Sequence, residues 1–355
     1  MIPEGHYETT LRYFLRPVLE YLDNPEISEI MINGYGTVYV ERQGRLEAAD
    51  ATFADPQQLE AAVVNIAQYS GRPSVGSEPR FDGRLPGGHR VHVVLPPLCR
   101  QGISVTIRKH SKSDWSLERL VKAKSLTTEA AAFLETCIKG HRNVIVSGGT
   151  GSGKTSLLNA LSRAIPSGER ILVIEDSSEL QIQQDHVLSL ESRPPDRKGR
   201  GAVTIRDLLH SSLRMRPDRI IIGECRGGEA FDLLQALNTG HAGSMSTVHA
   251  NSAHEALNRL ETLAMLSGVE LPIRFLRAQV ATAVHIVVQL LRFGGGRMVS
   301  QITANRGLDE SGNYRTDELF RFRVGEGRLK AEPSLAEYQA ELEASASAEG
   351  AENQR

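Results

Sequence analysis

The run Gly148-Gly-Thr-Gly-Ser-Gly-Lys-Thr155 follows an apolar β-branched segment, Asn143-Val-Ile-Val-Ser147, and precedes a helical pattern. Those residue types at that spacing describe a phosphate cradle. Glycines let successive backbone N–H groups face one anion, a helix N-terminus adds positive potential, and a lysine reaches the terminal phosphates. Gly148, Gly149, Thr150, Gly151, Ser152, Gly153, Lys154, Thr155 and Ser156 are therefore expected to hold a nucleoside triphosphate, with Thr155 ligating Mg2+. The competing reading is a plain glycine-rich turn, and the strand before it and helix after it argue against that.

Hydrolysis asks for a carboxylate that polarises a metal ion and a group that orients the attacking water. Glu175-Asp176 ends the apolar run Arg170 to Ile174 with Glu179 close behind, and Glu224 ends the run Arg219 to Gly223. In an open α/β sheet the carboxyl ends of the strands face the ligand crevice, so both acidic clusters should converge on the γ-phosphate, with Glu175 and Glu224 beside the metal. Acids after strands also cap helices, and that alternative stays open for each. His249 ends the run Ser244 to Val248, where an imidazole either senses the γ-phosphate or serves as a hydrogen-bonded structural group. Arg80, Arg84, Arg90, Arg100 and Arg108 cluster around the Pro86-Gly87-Gly88 turn; of these at least one of Arg84, Arg90 and Arg108 is expected to reach a bound phosphate, against the plainer reading of solvated surface arginines.

These residues need elements to hold them. Four apolar β-branched runs at 143–147, 170–174, 219–223 and 244–248, most separated by helical patterns, predict a mostly parallel sheet. Ahead of it, Leu11, Phe14, Leu15, Val18, Leu19 and Leu22 form a helical stripe with Pro17 as a kink. The segments Glu29 to Asn33 and Thr37 to Glu41, separated by Asn33-Gly34 and Gln43-Gly44 turn signals, form a meander. Asp55-Pro56 starts a helix to about Tyr69, and Phe81, Val91 to Leu95 and Ile103 to Ile107 are further strands. The expected division is an α+β domain over 1–110, a linker over 111–126, an α/β domain over 127–330, and an acidic, disordered tail over 331–355. Arg193 to Arg200 is expected to be a loop and not a nucleic-acid groove, since it lacks interleaved aromatics.

Composition narrows the function classes. The 355 residues carry 41 Lys plus Arg against 43 Asp plus Glu, a net charge of −2 that gives no global footprint for nucleic acid. Three cysteines at scattered positions fit neither a zinc pattern nor a disulfide framework, and point to a reducing cytosol. Met1 to Thr10 lacks the apolar core of a signal peptide, and the best apolar stretch, Ala278 to Leu291, is interrupted by Gln279, His285 and Gln289.

With these motifs in order, the chain resembles the secretion and pilus-assembly ATPases of type II and type IV secretion. The carriers are the phosphate loop, an Asp box in Ile174-Glu-Asp-Ser-Ser-Glu179, a Walker B variant at Gly223-Glu224, and a His box ending at His249. Leu213 to Glu224 and Arg226 to His241, with Asp82-Gly-Arg-Leu-Pro86 and Val105-Thr-Ile-Arg-Lys109, are similar to the branch that drives tight-adherence pili. That branch often carries a longer N-terminal extension. The resemblance implies a RecA-like P-loop domain preceded by a smaller α+β, PAS-like domain, assembled as a cytoplasmic homohexamer at an inner-membrane platform protein and fuelled by ATP and Mg2+. It further implies that Glu175, Glu179 and Glu224 manage metal and water, that His249 couples the γ-phosphate to its surroundings, and that Arg84, Arg90 and Arg108 clamp the nucleotide. Other readings are a conjugative type IV secretion ATPase, a RecA-like nucleic-acid translocase, and a nucleotide-dependent scaffold without turnover.

Overall fold

The computed structural model describes residues 4–42, 44–70, 79–109, 115–195 and 199–352. Gln43 of the expected turn, residues 111–114 of the expected linker, 196–198 of the expected loop and 353–355 of the expected tail lie outside these. The chain divides into two compact units, Met1–Ser113 and Asp114–Arg355.

In the first unit, α1 (Glu4–Phe14) and α2 (Leu19–Asp23) are separated by a 3-10 turn that contains Pro17, so the expected kink is a break between two helices. The strands β1 (Ile27–Asn33), β2 (Val38–Arg42) and β3 (Arg45–Ala48) form the meander, followed by α3 (Pro56–Tyr69), whose first turn is capped by the Asp55 carboxylate accepting from Gln58 N at 2.7 Å. Strands β4 (Arg80–Arg84), β5 (Arg90–Val94) and β6 (Ser104–Arg108) complete a six-stranded antiparallel sheet of order β3-β2-β1-β6-β5-β4. Alternation decides its faces. Ile30, Ile32, Val91, Val93, Val105 and Ile107 are buried with Leu59, Val63 and Ile66 of α3, which leaves Arg84, Arg90 and Arg108 on the opposite face.

The second unit begins with α4 (Leu117–Lys122) and α5 (Thr128–Lys139) and then alternates: β7 (Val144–Gly148), α6 (Lys154–Ser162), β8 (Ile171–Glu175), β9 (Val187–Glu191), α7 (Ile205–Ser212), β10 (Arg219–Ile222), α8 (Glu229–Asn238), β11 (Met245–Val248), α9 (Ala253–Met265) and α10 (Ile273–Ala283). Then β12 (Ile286–Phe293), β13 (Gly296–Leu308), β14 (Tyr314–Arg323) and β15 (Arg328–Ala331) extend the same sheet, and α11 (Ser334–Glu352) closes the chain. The sheet has nine strands in the order β15-β14-β13-β12-β7-β11-β10-β8-β9, parallel from β12 to β9 and antiparallel from β12 to β15. Both faces of its centre are dry. Val144 and Val146 of β7 join one cluster with Phe133, Leu134 and Leu158, while Ile145 between them joins the other with Leu233, Leu257 and Val280. Period-two burial on both faces yields an unbroken apolar run, which is why these strands read so clearly.

One expectation gives way here. Over 334–352 the expected disordered tail is instead the helix α11: the three side chains of the stripe Leu335, Tyr338 and Leu342 are buried against the sheet, with the Tyr338 ring 6.0 Å from that of Phe133 and over the Arg306 guanidinium at 5.0 Å. The segment has few apolar residues, yet they share one helical face, and spacing outweighs composition. The expected linker, read from Leu117, Leu120 and Val121 as carrying a short helix, holds α4, and its Leu117 and Leu120 join the core of the second unit.

Candidate functional site

Strand β7 delivers the chain to the phosphate loop at Gly148, and the loop's shape follows from its glycines. Gly151 and Gly153 have φ of 68° and 100°, values that L side chains avoid. A β-carbon on Gly148 would lie 2.5 Å from Ser152 Oγ and 2.8 Å from Leu290 O, so the turn closes only without one. Gly153 precedes α6, which opens with Lys154, Thr155 and Ser156. The buried Ser152 hydroxyl has no hydrogen-bond partner, an open polar group inside a cradle otherwise made of backbone. A phosphate group fits this loop.

The side chains expected at the site come from neighbouring strand ends. Lys154 Nζ donates to Gly148 O at 3.0 Å and Gly149 O at 3.2 Å, and lies 3.3 Å from His249 Nε2 and 3.9 Å from Glu224 Oε1. His249 Nε2 in turn lies 2.6 Å from Glu224 Oε1. Glu224 follows β10 and His249 follows β11, adjacent strands next to β7, so the strand order alone brings the three together. Burial lowers the Lys154 ammonium from its ordinary value, against the opposing pull of Glu224. It lowers His249 too, with the nearby Lys154 charge adding to the effect, which favours a neutral imidazole.

Glu175 stands at the end of β8 against the same strand end: a β-carbon on Gly223 would lie 2.9 Å from its Cγ. Its Oε1 accepts from Glu179 N and Leu180 N, both at 3.0 Å, so the carboxyl also shapes its own loop. Desolvation outweighs these two bonds and raises the group to about 7. Glu179 lies near enough to add its charge to that shift. Asp176 and Glu224 are linked by Arg226, whose Nε donates to Glu224 Oε2 at 2.7 Å and whose Nη1 lies 3.6 Å from Asp176. Arg226 was not among the residues expected at the site, although it stands two positions after Glu224. Gln289 is a second addition: it accepts from Ser147 Oγ at 2.5 Å and donates to Ala250 O at 3.1 Å, joining the base of the loop to the His249 segment.

Among the described residues no group of three or more His, Cys, Asp or Glu side chains forms a metal cage.

In the first unit, the three expected arginines occupy one row. Arg84 is the register partner of Arg90, Arg90 is the partner of Arg108, and Arg108 faces Glu29 with Nε 4.0 Å from the carboxylate. The sequence showed only that they flank a turn; pairing makes them neighbours.

A nine-stranded sheet with a phosphate loop at the end of a central strand, and acids and a histidine at the strands beside it, defines a P-loop nucleotide-binding domain of RecA-like architecture. The Type II/IV secretion system protein family matches residues 15–313, and the chain belongs to that family. It is 34% identical over 300 residues to the conjugal transfer protein TrbB of Rhizobium radiobacter, covering 83% of this chain and 88% of that one. It is 35% identical over 313 residues to the type IV secretion system protein PtlH homolog of Bordetella bronchiseptica, covering 81% and 92%. The X-ray structure of the Legionella pneumophila ATPase DotB shares the fold, with a TM-score of 0.58 at 21% identity over 84% of this chain and 82% of that one.

Proposed function

We propose that the protein is an ATPase motor of a secretion or pilus system, working as a homohexamer against an inner-membrane platform protein at the cytoplasmic face. The observation that carries the catalytic part is the meeting of Lys154, Glu224 and His249 at the mouth of the phosphate loop. In this reading the loop amides and Lys154 bind the β- and γ-phosphates of ATP, and Glu224 orients the attacking water. His249, held between Lys154 and Glu224, changes partner when a γ-phosphate arrives and reports its loss after hydrolysis. Glu175 and Glu179 support the metal side of the site. A bound Mg2+ would be held by Thr155 with Glu175 or Glu224 and would neutralise phosphate charge. Arg84, Arg90 and Arg108 remain the proposed source of additional cationic charge on the transferred phosphate.

What the motor moves is the finer question. The motifs around Glu224 and His241 favour the tight-adherence pilus branch. The names of the relatives, a conjugal transfer protein and a type IV secretion system protein, favour the conjugative and type IV secretion branch. Among the described residues no helix is long and apolar enough to cross a membrane.

The test compares binding with turnover in the full chain. Glu224→Gln is expected to keep ATP affinity within a few-fold and lose turnover by about 10²-fold or more, whereas Lys154→Ala loses binding itself. Turnover that survives Glu224→Gln removes this residue from the reaction.

A further inference from the structure

The acids and the histidine all lie on one flank of the phosphate loop, at β8, β10 and β11. The opposite flank belongs to β12, which pairs with β7 in parallel up to Leu290 opposite Gly148 and then runs on past the loop. Beyond that point β12 and β13 continue as a hairpin whose two-residue turn, Gly294-Gly295, has positive φ at both positions. Two arginines sit on this overhang. The position a β-carbon on Gly151 would take is 3.6 Å from Arg292 Nη1, and that on Gly153 is 3.5 Å from Arg297 Cδ and 3.8 Å from its Cβ. The Arg292 guanidinium thus rests beside the tip of the loop, and the Arg297 stem lies along its last glycine.

Arg292 and Arg297 are also register partners across the hairpin, two like charges directly opposed. Such a pair is unfavourable without an anion between or beside it, and neither side chain has an acidic partner among the described residues. Both are exposed, so no packing requirement explains why cations stand there. Opposed cations also stand at Arg42–Arg45 and Arg323–Arg328, where acidic side chains partner them, so what marks this pair is its place beside the phosphate loop without such a partner.

We propose that Arg292 and Arg297 form a cationic clamp on the phosphate loop, binding the polyphosphate of the nucleotide from within the same subunit, on the flank away from Glu224 and His249. The inference rests on the reading of the loop as an ATP site. Charge-assisted bonds from this hairpin hold ADP as well as ATP, because they do not depend on the γ-phosphate. They keep the nucleotide seated after hydrolysis, while the opposite flank resets.

The experiment titrates the full chain with methylanthraniloyl-ADP and methylanthraniloyl-ATP and follows the thermal midpoint of the nucleotide-free protein. Arg292→Ala and Arg297→Ala are each expected to weaken both ligands about tenfold, with lysine at either position recovering most of the loss. In the nucleotide-free protein each alanine variant is expected to melt at the parent's temperature or above it, since one of two opposed charges is gone. The inference is overturned if both alanine variants bind ADP and ATP within twofold of the parent, or if weakening comes only with a lowered thermal midpoint that lysine does not restore. If the parent itself fails to bind, or Lys154→Ala binds as tightly as the parent, the ATP-site reading falls and takes this inference with it. If the parent binds, Lys154→Ala does not, and the arginine variants match the parent, the clamp alone is wrong.

Discussion

At Glu175 burial opposes two backbone hydrogen bonds and wins, so the carboxyl titrates near 7 where an exposed glutamate titrates near 4.5. A folded-state value above the unfolded one means the native protein holds a proton that the unfolded chain gives up. That contribution to stability is fully present below about pH 4.5 and declines as pH rises through about 7, by up to about 3 kcal/mol. Glu175→Gln is expected to abolish this slope, measured as urea midpoints across pH 5 to 8. If ionised Glu175 takes part in turnover, the rate rises through about pH 7 in the parent and loses that limb in Glu175→Gln. The residues of the loop were legible from sequence because a glycine pattern between strand and helix permits few other purposes. The partnership of His249 with Glu224 was legible only as a shared crevice, since a 2.6 Å contact depends on strand order, which spacing does not encode. Arg226 went unassigned for the opposite reason: surface arginines after a strand are common, and only its two acidic partners single it out.

The elements around the loop are pinned by polar groups at the other end of the sheet. Arg219, at the start of β10, is 0% exposed, gives Nε to Glu169 at 2.5 Å and a second bond at 3.2 Å, and donates to Gly243 O at 3.0 Å. Glu169→Ala leaves that guanidinium buried and unpaired, and is expected to cost about 3–5 kcal/mol in urea unfolding. Gly243→Ala is expected to fail more severely, because its β-carbon would fall 1.8 Å from Arg219 Nη1 at a φ of 81°. Just before β12, His285 Nδ1 accepts from Asn143 N at 2.8 Å, and burial holds the imidazole down to about 4. Its sign is opposite to that of Glu175: the stability it contributes is present above about pH 6.5 and lost as pH falls through about 4. Between pH 5 and 6.5 the two slopes oppose each other, so Glu175→Gln is expected to unmask an acid sensitivity that Glu175→Gln with His285→Gln does not show. Strands β7, β8, β10 and β11 were legible because both of their faces are buried. Strands β13 and β14 were not, since half-exposed antiparallel strands mix charges with apolar residues and resemble loop composition. The hairpin arginines were missed with them.

For the molecule as a whole, the near-neutral net charge of −2 removes the general attraction to nucleic acid and leaves positive charge as local features: the row Arg84, Arg90, Arg108 and the pair Arg292, Arg297. A motor needs the energy of one γ-phosphate to change contacts in more than one place. The site offers a neutral imidazole between an ammonium and a carboxylate as the element with two possible partners. The most direct test measures steady-state phosphate release from ATP by the full chain together with its mass in solution, with Lys154→Ala and Arg84→Ala alongside. The account predicts turnover in a six-copy species, abolished by Lys154→Ala and strongly reduced by Arg84→Ala. Turnover that persists in Lys154→Ala, or no turnover in any assembly of the parent chain, would contradict it.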